Sequence, residues 1–182
     1  MSKAKSDGVR INIKWLRAWG ACERYVAVVE AEIGASTVTL TRARLLKADA
    51  LGLNLSWLLR KLLHSPGVGR RRKLTAAEVK RLFGFMTRLN LNESQIGDIS
   101  VLAGLTNLTY LYLGGNHIGD ISALAGLTKL TYLDLGVNHI GDISVLASLP
   151  NLTCLYLSGN PLNAAAAGVI AALKEKGVIV YA

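Results

Sequence analysis

Residues 108–129 read LTYLYLGGNHIGDISALAGLTK, and residues 130–151 follow at once with LTYLDLGVNHIGDISVLASLPN. Set one under the other, they share the frame LxxLxLxxNxI followed by GDIxxLxxL. The same frame reaches back to Met86 and forward to Leu152 in steps of 22 residues. Its strand leucines are Leu89 and Leu91, Leu111 and Leu113, Leu133 and Leu135, and Leu155 and Leu157. The return leg repeats as Ile99, Leu102, Leu105, then Ile121, Leu124, Leu127, then Ile143, Leu146, Leu149. Apolar residues at alternate positions put Leu111 and Leu113 on one face of a short strand, and a parallel neighbour about 4.8 Å away repeats that face. One such unit cannot bury its own leucines, so neighbours must stack and share a core.

Two polar columns belong to the same frame. Asn116, Asn138 and Asn160 recur where each strand turns, with Ser94 in the first copy. An amide there satisfies backbone groups that the turn leaves open. Asp98, Asp120 and Asp142 each precede an IxxLxxL turn, at the place of a helical N-cap.

On these residues, 85–182 resemble a leucine-rich-repeat domain of the 22-residue class, as in the internalins and in the eukaryotic phosphatase regulator of that class. The resemblance implies an α/β solenoid of about four coils plus a carboxyl-terminal capping coil, with the outward strand positions lining a concave face. Two columns then face out: Arg88, Tyr110, Tyr132 and Cys154, beside Asn90, Tyr112, Asp134 and Tyr156. Four of the six tyrosines fall there. Tyr offers rigid apolar area with a polar handle, so exposed clusters favour protein interfaces. The competing reading is that strands favour aromatic residues for cross-strand stacking alone.

Both ends of such a stack need covering. Thr75 to Glu78 is a capping box, and Val79, Leu82, Phe83 and Met86 follow at helical spacing, predicting a helix over the first coil. At the other end NPLNAAAAGVIAALKEKGVIVYA predicts a helix from about Ala164 to Glu175, a stop at Gly177 and a final strand Val178 to Tyr181. This tail resembles the finish of bacterial members of the repeat family.

The amino-terminal part divides into a disordered tail at 1–8, a basic helical unit at 9–64 and a basic linker at 65–74, ahead of the repeat domain at 75–182. Trp15, Trp19, Cys22, Val26, Val29 and Ile33 form one apolar stripe at helical spacing, ending at Gly34. A second helix is expected from Leu40 to Leu51, stopping at Gly52. A third runs from Asn54 to His64, with Leu55, Leu58, Leu59 and Leu62 inward. The stretch 38–63 is similar to a segment of bacterial and phage proteins that carries no assigned function.

Composition sets limits. The chain has 182 residues, 51% of them apolar and 18% charged, which excludes intrinsic disorder. The longest apolar run, Ala164 to Leu173, is about half of what a spanning helix needs. The residues MSKAKSDGVRINIK lack the apolar region of a secretion signal, so a cytoplasmic protein is expected. Cys22 and Cys154 form no CxxC and are expected to be free thiols.

The net charge of +9 is uneven: residues 1–81 hold 17 Lys+Arg against 6 Asp+Glu, and residues 82–182 hold 4 against 6. Arg60, Lys61, Arg70, Arg71, Arg72, Lys73, Lys80 and Arg81 therefore form a candidate site for nucleic acid or another polyanion. The plainer reading is a solvated basic linker.

Catalytic patterns are missing: GxxxxGK[ST], GxSxG, HExxH and DxDxDG do not occur. His117 and His139 occupy equivalent repeat positions and should stack about 5 Å apart, without implying a metal. The expectation is a non-enzymatic module that needs no cofactor and binds a protein partner on its concave face.

Overall fold

The structure, a computed structural model, describes residues 9–12, 21, 26–27, 37–51, 53–64 and 74–182. The chain forms two compact units, 1–73 and 74–182.

In the first unit, strand β1 (Val9–Asn12) pairs antiparallel with strand β2 (Thr37–Leu40), Val9 opposite Leu40 and Asn12 opposite Thr37. The pair adds a short sheet to the helices expected of this unit. It also moves the start of the second helix: Thr37-Val-Thr belongs to a strand that ends at Leu40, and the helix α1 spans Arg42–Ala50. The physical reason is the β-branched run, which fits a paired strand better than a first helical turn. Thr41 then caps the helix, its Oγ1 accepting from the Arg44 amide at 3.3 Å.

Helix α2 (Leu55–His64) follows, with Asn54 Oδ1 accepting from the Trp57 amide at 2.8 Å. Its stripe of Leu55, Leu58, Leu59 and Leu62 is buried, as its spacing predicts. Val26 is helical and fully buried. The other members of the tryptophan-bearing stripe, the 1–8 tail and residues 65–73 lie outside the described residues.

The second unit opens with helix α3 (Ala76–Phe83). Its capping box closes in both directions: the Thr75 hydroxyl accepts from the Glu78 amide, and the Glu78 carboxylate accepts from the Thr75 amide at 2.9 Å. The buried face of Val79, Leu82 and Phe83 lies over the first coil. Gly104 permits the close approach, because a Cβ there would stand 2.7 Å from Cβ of Lys80.

Five strands, β3 (Arg88–Asn90), β4 (Tyr110–Tyr112), β5 (Tyr132–Asp134), β6 (Cys154–Tyr156) and β7 (Ile179–Tyr181), form one parallel sheet in sequence order. Leu89, Leu111, Leu133 and Leu155 are adjacent rungs and completely buried. The opposite wall is a stack of 3-10 turns, η1 (Ser100–Gly104), η2 (Ser122–Gly126) and η3 (Ser144–Ser148). Helix α4 (Ala166–Glu175) finishes this wall, and Gly177, at φ +85, turns the chain back into β7. Leucine and isoleucine from both walls fill the space between them.

The Asn column binds the coils together. Asn116 is 4% exposed; its Oδ1 accepts from the amides of Ser94 and Ile96, and its Nδ2 donates to the carbonyls of Leu91 and Leu113. Asn138 and Asn160 repeat both carbonyl bonds one and two coils on, their Oδ1 atoms accepting from one amide each, Ile118 and Ile140. The Asp column works differently from an N-cap. Oδ1 of Asp98, Asp120 and Asp142 accepts from Ser100, Ser122 and Ser144 amides at 2.8 Å, two residues on, while isoleucine holds the N-cap position. The spacing of two makes each an Asx turn. These hydrogen bonds, the Ser122 backbone amide first, hold the Asp120 carboxyl below its ordinary pKa.

A third ladder escaped the repeat reading. The hydroxyls of Thr109, Thr131 and Thr153 donate to the carbonyls of Thr87, Thr109 and Thr131 at 2.9, 3.1 and 2.9 Å. Finally, Glu93, Gly115, Val137 and Gly159 share one turn position, and all four have left-handed φ, 51°, 67°, 53° and 78°.

Candidate binding face

Alternation along each strand decides which side chains leave the core. In β4, β5 and β6 the middle leucine is buried and both flanking residues are half-buried. The register then aligns Arg88, Tyr110, Tyr132, Cys154 and Ile179 in one column. Asn90, Tyr112, Asp134, Tyr156 and Tyr181 form the next. All eight residues expected on this face are therefore brought together, and β7 adds Ile179 and Tyr181, which sequence reasoning missed.

The tyrosines touch one another. Tyr132 is the centre: its ring centroid lies 6.0 Å from Tyr110, 4.9 Å from Tyr112 and 5.7 Å from Tyr156. Tyr156 stacks on Tyr181 at 4.5 Å with the planes 13° apart. Five rings thus form one connected surface, spaced as aromatic pairs prefer. At its edge the Arg88 guanidinium sits 4.3 Å over the Tyr110 ring, within cation–π range.

Electrostatics follow from this crowding. Burial first, then the neighbouring Tyr156 and Asp134, push the Tyr132 hydroxyl up to about 12. Tyr156 is raised as well, through burial and then Cys154. Cys154 is a free, half-buried thiol beside Tyr132. Asp134 turns toward the end of its strand, where Oδ1 accepts from the Gly136 amide at 3.0 Å and Oδ2 lies 3.5 Å from Nδ2 of Asn92.

The remaining candidates are distributed elsewhere. Arg60 and Lys61 lie on α2 of the first unit, Lys80 and Arg81 on α3 of the second, and Arg70 to Lys73 lie outside the described residues. His117 and His139 are exposed with ring centroids 5.5 Å apart, the spacing expected of adjacent rungs. Among the described residues no group of three or more His, Cys, Asp or Glu is placed to hold a metal ion, and no helix is long and apolar enough to cross a membrane.

Short parallel strands on one wall, 3-10 turns on the other and an asparagine ladder between them define a leucine-rich-repeat solenoid. Residues 86–126 and 128–167 match the family model described as leucine rich repeats, two copies. An internalin from Listeria monocytogenes is similar at 35% identity and a TM-score of 0.53, over 60% of this chain and 32% of its own. A leucine-rich-repeat protein from Leptospira interrogans is similar at 26% identity and a TM-score of 0.51, over 59% of this chain and 28% of its own. The chain thus spans about a third of the length of the internalin. No curated protein matches it. Leucine-rich-repeat proteins generally mediate protein–protein interaction.

Proposed function

We propose that the chain is a non-enzymatic interaction module that binds a protein partner on the concave, tyrosine-lined face of its repeat sheet. The observation that carries this reading is the connected surface of Tyr110, Tyr112, Tyr132, Tyr156 and Tyr181, flanked by Arg88. Aromatic residues and arginine dominate the energetic centres of protein interfaces: the rings bury large area with few rotatable bonds, and the guanidinium offers a planar, weakly hydrated fork. Here the rings run across four strands, and Tyr181 is 48% exposed at the end of the run.

The test is affinity capture by the full chain, with and without nuclease, followed by affinity measurement on Tyr112→Ala and Tyr132→Ala. Each substitution should weaken partner binding by about 2 kcal/mol or more, roughly thirtyfold. Binding unaltered in both variants overturns the reading. A partner that vanishes with nuclease transfers the function to the basic cluster, where Arg70 to Lys73 replaced by serine should abolish a salt-dependent affinity.

A further inference from the structure

Asp134 is the one acidic residue of the two outward columns. Its register partners are Tyr112 on one side and Tyr156 on the other, and Tyr132 precedes it by two residues on the same face of β5. The carboxylate is aimed but not neutralised. The Gly136 backbone amide and the Asn92 side-chain amide hold its two oxygens, and among the described residues no cation reaches it. A carboxylate oxygen accepts more than one hydrogen bond, so both keep acceptor capacity. The same wall already shows how its rings receive a cation, since the chain's own Arg88 lays its guanidinium over Tyr110. Residues 74–182 carry six Lys+Arg and seven Asp+Glu, so the solenoid presents no excess of positive charge to repel such a group.

Resting on the concave-face reading above, we propose that this face selects a protein segment bearing an arginine, whose guanidinium pairs with Asp134 while its stem lies on Tyr112, Tyr132 and Tyr156. Arginine suits the site because its planar fork pairs with a carboxylate and its faces stack on aromatic rings together, which a point-charge ammonium does less well. Rings next to a carboxylate also favour a cation over a neutral group of equal shape, since the ring face and the acid attract the same charge. Specificity here is a matter of charge, not of area.

The probe is a blocked pentapeptide with one central arginine among glycine and serine, titrated into the full chain and followed by the ring resonances of Tyr112, Tyr132 and Tyr156. Its isostere, in which citrulline replaces arginine, keeps shape and removes charge. The arginine peptide should shift these resonances saturably, and the citrulline peptide should bind at least about tenfold more weakly. Asp134→Asn should produce the same tenfold loss, and it keeps an acceptor for the Gly136 amide. Tyr156→Phe should retain binding, and Tyr156→Leu, which fills space without a π face, should lose it. Equal binding of the two peptides, no saturable shift, or unchanged affinity in Asp134→Asn overturns the proposal. If the captured partner is lost in Tyr132→Ala but not in Asp134→Asn, the concave-face reading stands and the arginine selection falls. If Tyr112→Ala and Tyr132→Ala both leave partner binding intact, the concave-face reading itself falls.

Discussion

Asn138 Nδ2 lies 2.9 Å from the carbonyl of Leu113, twenty-five residues earlier, and so fastens one coil to the coil before it. The same nitrogen reaches Leu135 within its own coil, and Oδ1 serves the Ile118 amide. Removing the side chain strands buried backbone groups that water cannot reach. Asn138→Ala should therefore cost about 3 kcal/mol. Asn160→Ala should cost less, because Asn160 is only half-buried. Urea denaturation of both variants checks the order, and an equal loss in each would contradict the burial argument.

Val137 carries a left-handed φ of 53° and is 66% exposed. A β-branched residue is strained there, and glycine already serves at the same position in Gly115 and Gly159. Val137→Gly should stabilise the protein by about 1 kcal/mol, since the strain relieved exceeds the added freedom of the unfolded chain. Thermal melting decides this, and a lower midpoint in the variant refutes it.

Leu133 is completely buried between Leu111 and Leu155. Leu133→Ala should cost about 2 to 5 kcal/mol through lost burial and the cavity left behind. A loss below about 0.5 kcal/mol in chemical denaturation would be inconsistent with this packing.

The Tyr132 hydroxyl, pushed from 10.0 to about 12, keeps its proton in the folded chain longer than in the unfolded one. Its contribution to stability is present below about pH 10 and is lost as pH rises toward about 12. Absorbance titration should show a late step near pH 12 that Tyr132→Phe removes. Loss of an early step instead would reverse the assignment of the central ring.

Most of the second unit was legible in the sequence because one period governs it. Leu111, Asn116, Ile121 and Leu124 recur so strictly that burial, register and the amide ladder follow from their spacing. What the period does not reach was harder to read. Tyr181 pairs with Tyr156 across twenty-five residues, because helix α4 makes the last coil longer than the others. A frame of 22 therefore misses it.

The threonine ladder was in the frame but offered no apolar signal. The left-handed turn at Val137 was hidden, since valine is a residue that this backbone disfavours. In the first unit β1 and β2 are separated by 24 residues, and a pairing over that distance leaves no local mark.

The one-to-one match of repeat and rung has a consequence for how this surface changes over generations. Tyr110, Tyr132 and Cys154 are successive steps of a staircase whose every tread is built alike. Duplicating or deleting a stretch of coding sequence one repeat long lengthens or shortens the face by a single tread, and each asparagine still finds a carbonyl below it. A slip by one residue instead turns every leucine of a strand outward at once. Such a gene can therefore vary this face in whole steps, with each step already foldable.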